Sequence, residues 1–285
     1  MTRRGTDPVD RLMLWFVAIL LAFLLVRIPQ VPEWPWLLAA DALVVVLALL
    51  VRRLPATGGV AEFLGGAWPL IIISAFYSQL GVMHSAVGVL HDGLVQRWEL
   101  TVFGAQVSAT WHRRMPYPPL SAVLHACYGA YYFIVALVPL WFWFKGERAS
   151  FRRAVFINTL ALLVCYVIFA AFPVAGPHYT FPLVTGRVVE NLPARYVYFM
   201  LGAASIGTAF PSSHVVAAWC SVYAAWRDAR RLALVLAPVA FLLAVGTVYG
   251  QFHYAVDAVA GAILSLLLMA VADPLSRLLA RPLPR

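Results

Sequence analysis

Long apolar runs separated by short polar connections set the architecture of this chain. Eight runs stand out, over 12–28, 36–51, 63–83, 119–143, 154–172, 212–226, 231–250 and 254–272. An α-helix needs roughly 20 residues to cross a bilayer, and a few of these runs are short against that length. A backbone inside lipid must satisfy its own hydrogen bonds, so the pattern predicts an all-α fold, a polytopic membrane helix bundle of about eight transmembrane helices. The first run follows Arg3, Arg4 and Arg11 as a secretory leader would. It ends in Val26-Arg27-Ile28-Pro29 without a small-x-small cleavage site, and reads as an uncleaved first span. Three units follow: an N-terminal membrane hairpin over 1–60, the main helix bundle over 61–273, and a basic cytoplasmic tail over 274–285.

Composition agrees with the pattern. Of 285 residues 63% are hydrophobic and 12% charged, where soluble domains carry about 25% charged residues. A net charge of +9 would suggest a nucleic-acid surface in a soluble protein. Here the basic residues sit in the connections between spans, so they read as topology signals and no nucleic-acid partner is expected. With the N-terminus inside, alternating spans put 15 of the 21 Lys and Arg on the cytoplasmic side and 6 outside. Both termini are then cytoplasmic, in a multi-pass protein of the cell membrane. Cys127, Cys165 and Cys220 lie within apolar runs at no metal or disulfide spacing, and read as packing residues. Asn158 and His125 read as interhelical hydrogen-bonding residues, and Asp41 as lying near the outer interface.

Two motifs carry chemistry. Phe210-Pro211-Ser212-Ser213-His214 and His253-Tyr254-Ala255-Val256-Asp257 each open an apolar run. The topology sends both runs from outside to inside, so both helix starts lie on the extracytoplasmic side. His253 and Asp257 are one helical turn apart on one face. An unpaired Asp there would cost roughly 2.5–3.5 kcal/mol on insertion scales, so His253 is its expected partner. If the two starts meet, two imidazoles, a carboxylate and two helix N-termini form a site suited to a phosphate. Ser212 and Ser213 can cap the helix or donate to phosphate oxygens. His253 is then the nucleophile, with Asp257 accepting from its other nitrogen, and His214 protonates the leaving alkoxide.

Two longer outside segments could cover that site. Residues 84–118 mix charge with Trp and Phe, including Asp92, Arg97, Trp98, Glu99, Arg113 and Arg114, and read as an interfacial helix. Residues 173–211 are rich in Pro and Gly and carry His178, Arg187 and Arg195. A transferring phosphoryl group needs cationic stabilisation. Arg187 and Arg195, whose loop leads into Pro211, are the first candidates; Arg113 and Arg114 are also candidates for lipid headgroups, and His178 joins the substrate-binding set.

The two motifs resemble the second and third signatures of the type 2 phosphatidic acid phosphatase superfamily. The resemblance implies a metal-independent lipid phosphatase or phosphotransferase, without cofactor, working through a phosphohistidine on His253. His214 would be its acid, Asp257 the orienting carboxylate and Ser212 a phosphate-binding serine. Ser213 stands where many members have Gly. Thr247 stands where the usual third motif has an Arg, and the usual Lys and Arg-Pro first motif has no convincing match. Phe172-Pro173-Val174-Ala175-Gly176-Pro177, with Asp92-Gly93-Leu94, Glu99 and Phe103-Gly104, is similar to the inositol phosphorylceramide synthase branch. That implies transfer of a phosphoinositol-type headgroup from a phospholipid to an alcohol acceptor. Hydrolysis with water as acceptor is the alternative within the same chemistry. A transporter using the His-Asp pair as a proton relay is the alternative outside it, and a zinc site on His214, His253 and Asp257 is disfavoured.

Overall fold

The computed structural model describes residues 7–51, 53, 59–202 and 204–281. The fold is all-α, and among these residues the only β pairing is an isolated bridge between Val174 and Thr208. Arg3, Arg4, Arg52 and Arg285 of the basic tally lie outside the described residues.

Helix α1 (Pro8–Arg27) starts at an Asp7 cap, whose Oδ1 accepts from Val9 N at 3.2 Å. A single 3₁₀ turn (Ile28–Gln30) leads into α2 (Trp34–Val51), and α3 (Gly59–Val87) follows. Then come α4 (Asp92–Phe103), ended by Gly104 in the left-handed region, and α5 (Val107–Arg114). Next are α6 (Pro118–Gly129), α7 (Tyr131–Phe144), α8 (Arg148–Ala171), the one-turn α9 (Pro177–Thr180) and α10 (Leu192–Leu201). The chain closes with α11 (Ser213–Trp226), α12 (Arg230–Tyr249) and α13 (Ala255–Ala280). The last of these passes Pro274 without stopping, so the expected basic tail is helical as far as Ala280.

Six described helices are long and apolar enough to cross a membrane: α1 with its 3₁₀ turn, α2, α3, α8, α12 and α13. The run 119–143 is a broken span, α6 and α7 meeting at a 45° bend. The run 212–226 departs from the expectation of eight. Helix α11 has 14 residues, about 21 Å of rise against a hydrocarbon core of roughly 30 Å. It packs against α7, α8, α12 and α13. Ala217, Ala218, Cys220, Ser221 and Ala225 along it are fully buried, so its environment is protein rather than lipid.

Buried polar contacts pin the bundle. Asn158 on α8 donates to the Val135 carbonyl at 3.0 Å and accepts from Ser221 Oγ at 3.0 Å, joining α7, α8 and α11 as expected of it. His125 differs: its Nδ1 lies 2.8 Å from the Ser121 carbonyl of its own helix, because Tyr198, Tyr249 and Phe252 enclose the ring. Asp41 turns into the bundle to accept from Gln79 on α3 at 3.2 Å. At one end, Arg153 makes a bidentate pair with Asp273 at 2.7 and 2.8 Å, and Arg148 reaches Glu62. The opposite end of α11 and α13 holds the two motifs.

Candidate active site

The starts of α11 and α13 meet. Ser212 N donates to the Asp257 carbonyl at 3.0 Å, coupling the two first turns directly. Gly261 makes the approach feasible: a Cβ there would lie 2.8 Å from the Ser212 carbonyl oxygen. The rings of His214 and His253 stand 5.7 Å apart, centroid to centroid.

His253 is buried, and its Nδ1 lies 2.8 Å from the Ala209 carbonyl, which accepts the proton and leaves the lone pair on Nε2. Asp257 Oδ2 is 3.6 Å from the same Nδ1 and accepts from Tyr254 N at 2.9 Å. The expected His253–Asp257 hydrogen bond is therefore taken by a backbone carbonyl. The carboxylate caps its own helix and acts on the imidazole through space. Thr247, at the position of the usual Arg, donates to the Ala244 carbonyl instead. Its own carbonyl accepts from His253 N at 3.0 Å.

His214 is held by aromatic rings. Tyr128 stacks on it at 4.8 Å and Tyr131 tilts over it at 4.2 Å, from either side of the bend between α6 and α7. The apolar run 119–143 gave no sign that its bend would deliver two tyrosines to the site. Ser212 is fully buried and caps α11 through Val215 N at 3.5 Å. Ser213, His214, His253 and His178 line a cavity of about 450 Å³. Burial lowers the pKa of His178, favouring its neutral form.

The cavity's chemistry departs from the expected cationic clamp. Arg113, Arg114, Arg187 and Arg195 are all exposed and none lines it; among the described residues its wall holds no Lys or Arg. Its polar groups are three imidazoles and the hydroxyls of Tyr, Ser and Thr residues, Tyr77, Tyr128, Tyr131 and Tyr166 among them.

Two acids hold the frame from outside. The Asp92 carboxylate accepts from Ala175 N at 2.9 Å, Gly176 N at 2.8 Å and Tyr254 OH at 3.0 Å. Glu99 accepts from Val256 N at 3.2 Å in the first turn of α13, and from Val107 N at 3.1 Å at the start of α5. Burial raises the Glu99 pKa, partly offset by these backbone donors. In sequence both acids read as the polar side of an interfacial helix; α4 instead turns them inward and leaves Leu100, Val102 and Phe103 exposed. The clamped segment connects to His253, since Ala209, whose carbonyl meets the His253 ring, donates its N–H to the Val174 carbonyl at 2.9 Å.

No curated protein and no solved structure matches the chain. A family model described as PAP2 superfamily matches residues 94–271, from within α4 into α13, and so takes in both motifs and both helix starts. With more than half of its length matched, the chain belongs to the PAP2 superfamily.

Proposed function

We propose that the protein is a membrane lipid phosphotransferase that forms a phosphohistidine on His253 at the extracytoplasmic leaflet. The family and the apolar spans fit a membrane lipid-phosphatase-type protein. The finer reading is carried by the meeting of His214 and His253, 5.7 Å apart at the wall of one cavity, with the nucleophile's Nδ1 already engaged.

In the first step Nε2 of His253 bonds to phosphorus as the bond to the leaving oxygen breaks, and His214 delivers a proton to that oxygen. In the second, an acceptor hydroxyl attacks phosphorus, the P–Nε2 bond breaks, and His214 takes the proton back. The Ala209 carbonyl and the Asp257 carboxylate stabilise the imidazolium character that develops between the two. Phosphate oxygens would be met by the free N–H groups of the first turn of α11, the Ser213 hydroxyl and tyrosine hydroxyls.

The missing cations support a phosphodiester donor. A phosphate monoester carries about −1.5 to −2 charge near neutral pH, whereas a diester carries a single charge. A wall of imidazoles and tyrosines without Lys or Arg suits the smaller charge. The likeness of Phe172–Pro177 and Asp92–Gly104 to the inositol phosphorylceramide synthase branch supports a phosphoinositol-type headgroup as the group moved. Arg11, Arg148, Arg152, Arg153 and Arg227 gather at the end away from the site, which supports an extracytoplasmic site.

The test is a rapid acid-free quench of purified protein mixed with a phospholipid labelled in its phosphate. A label stable to alkali and lost in acid is expected on the parent protein and absent from His253→Ala. Turnover unchanged in His253→Ala would refute the proposal. Release of the free headgroup phosphate alone, with an alcohol present, would assign hydrolysis in place of transfer.

A further inference from the structure

A second and more open cavity, about 920 Å³, adjoins the first. It lies between the 3₁₀ turn after α1, the C-terminal half of α3 and residues 204–206. Ser78, Ala204 and Ser205 line both cavities, which adjoin at these residues. The segment 205–208 packs closely on α3. A Cβ on Gly81 would lie 2.6 Å from Ser205 Oγ, and His84 Nδ1 lies 3.0 Å from the Ile206 carbonyl. Thr208 Oγ1 is 2.9 Å from Tyr77 OH on α3.

The two cavities differ in chemistry. The second offers the Gln30 amide, the Glu33 carboxylate and the hydroxyls of Ser78, Ser85 and Ser205, and among the described residues no His, Lys or Arg lines it. A carboxylate repels a phosphate but accepts a hydrogen bond from an alcohol, and serine and amide groups pair with hydroxyls in either sense. Val82, Ala86 and Ile206 give the same groove an apolar wall. Beside Glu33, Trp34 and Trp36 are exposed at the start of α2, which suits the depth of lipid headgroups.

We infer that this groove is the acceptor subsite and takes an uncharged, hydroxyl-bearing molecule. The inference rests on the transferase reading. The acceptor's hydroxyl reaches the first cavity beside Ser78 and Ser205, which line both, and its oxygen bonds to phosphorus as the P–Nε2 bond breaks. The electron pair returns to Nε2 and the hydroxyl proton goes to His214. The phosphate donor thus enters a cavity whose imidazoles and hydroxyls can donate to it, and the alcohol a groove whose Glu33 carboxylate repels a second phospholipid.

Two measurements decide it. The first gives vesicle-reconstituted protein a labelled phospholipid with either glycerol or a long-chain monoacylglycerol, and reads the ratio of transfer product to hydrolysis product. Ser85→Phe fills the groove from an exposed position, and Glu33→Lys reverses its charge. Each is expected to lower the ratio about tenfold, equivalent to about 1.4 kcal/mol of lost acceptor binding. An unchanged ratio in both variants, or no transfer product from the parent while hydrolysis proceeds, overturns the inference. The second measurement follows amide hydrogen exchange in His253→Ala with the same two alcohols, and needs no turnover. Slower exchange over 30–34, 81–86 and 204–206 is expected; protection absent from all three overturns the groove even where the phosphohistidine is found. Absence of any His253-dependent turnover would instead refute the proposed function, with the exchange result still deciding whether the groove holds an alcohol. Protection by glycerol identifies a soluble polyol, and protection by the monoacylglycerol alone a lipid alcohol.

Discussion

Asp92→Asn is the sharpest probe of how the site is held. The carboxylate is nearly fully buried, with one oxygen 2.9 Å from Ala175 N and the other 2.8 Å from Gly176 N. An amide supplies one acceptor oxygen, so whichever way it turns, an NH₂ faces a backbone N–H. A hydrogen bond to a charged group is worth about 1.5–3 kcal/mol, and a buried donor left unpaired costs about 1–3 kcal/mol more. A loss of about 3 kcal/mol is therefore expected, concentrated in the 174–176 segment. That segment carries the Val174 carbonyl, which holds Ala209, whose own carbonyl fixes the Nδ1 proton of His253. A misplacement on the order of 1 Å at a reacting group can cost about 100-fold in rate. The assay is turnover of a phospholipid by the purified variant, with thermal unfolding in the same detergent. A fall in kcat of about that size is expected with a smaller rise in KM, since the displaced Ala175, Ala209 and His253 are three of the many residues that line the cavity. A parental kcat in a variant whose melting temperature has dropped would refute the chain of contacts from Asp92 to His253.

Other outcomes follow from the same geometry. His214→Ala should slow reaction of a lipid with a poor leaving group far more than one with an activated leaving group such as nitrophenol; equal losses would remove His214 as the acid. Gly261→Leu drives a side chain against the Ser212 carbonyl, a clash worth about 1–3 kcal/mol of stability. It should separate the two helix starts, so full turnover in a folded variant would disprove their close approach. Glu99 has its pKa raised by burial. The folded state therefore holds its proton at pH values where the unfolded chain has lost it, and stability falls as pH rises from the ordinary carboxylate range through the raised value. Glu99→Gln should flatten that fall in melting temperature against pH; an equally steep fall in the variant would show that other groups cause it.

Some of this was legible in the residues alone. Apolar run length announced a membrane bundle, because lipid forces each spanning backbone to close its own hydrogen bonds. The order and spacing of the two motifs brought His214, His253 and Asp257 to matching helix ends, since alternation across the membrane depends only on counting spans. The short α11 did not upset that count. It still carries the chain from one end of the bundle to the other, sheathed by neighbours that spare it contact with lipid.

What sequence left open depended on contacts between residues far apart in the chain. Asp257 was the natural partner of His253 by helical spacing, yet the Ala209 carbonyl, 44 residues away, is closer. Backbone groups are the same at every position, so no residue pattern could single that one out. Asp92 and Glu99 read as part of an interfacial helix, and act as clamps because α4 lies across the start of α13. The arginines of the loops looked like phosphate ligands and remain exposed, while two tyrosines from an apolar span surround His214. Residue type specifies which chemistry a side chain can perform; the packing angle of the element that carries it decides what it meets.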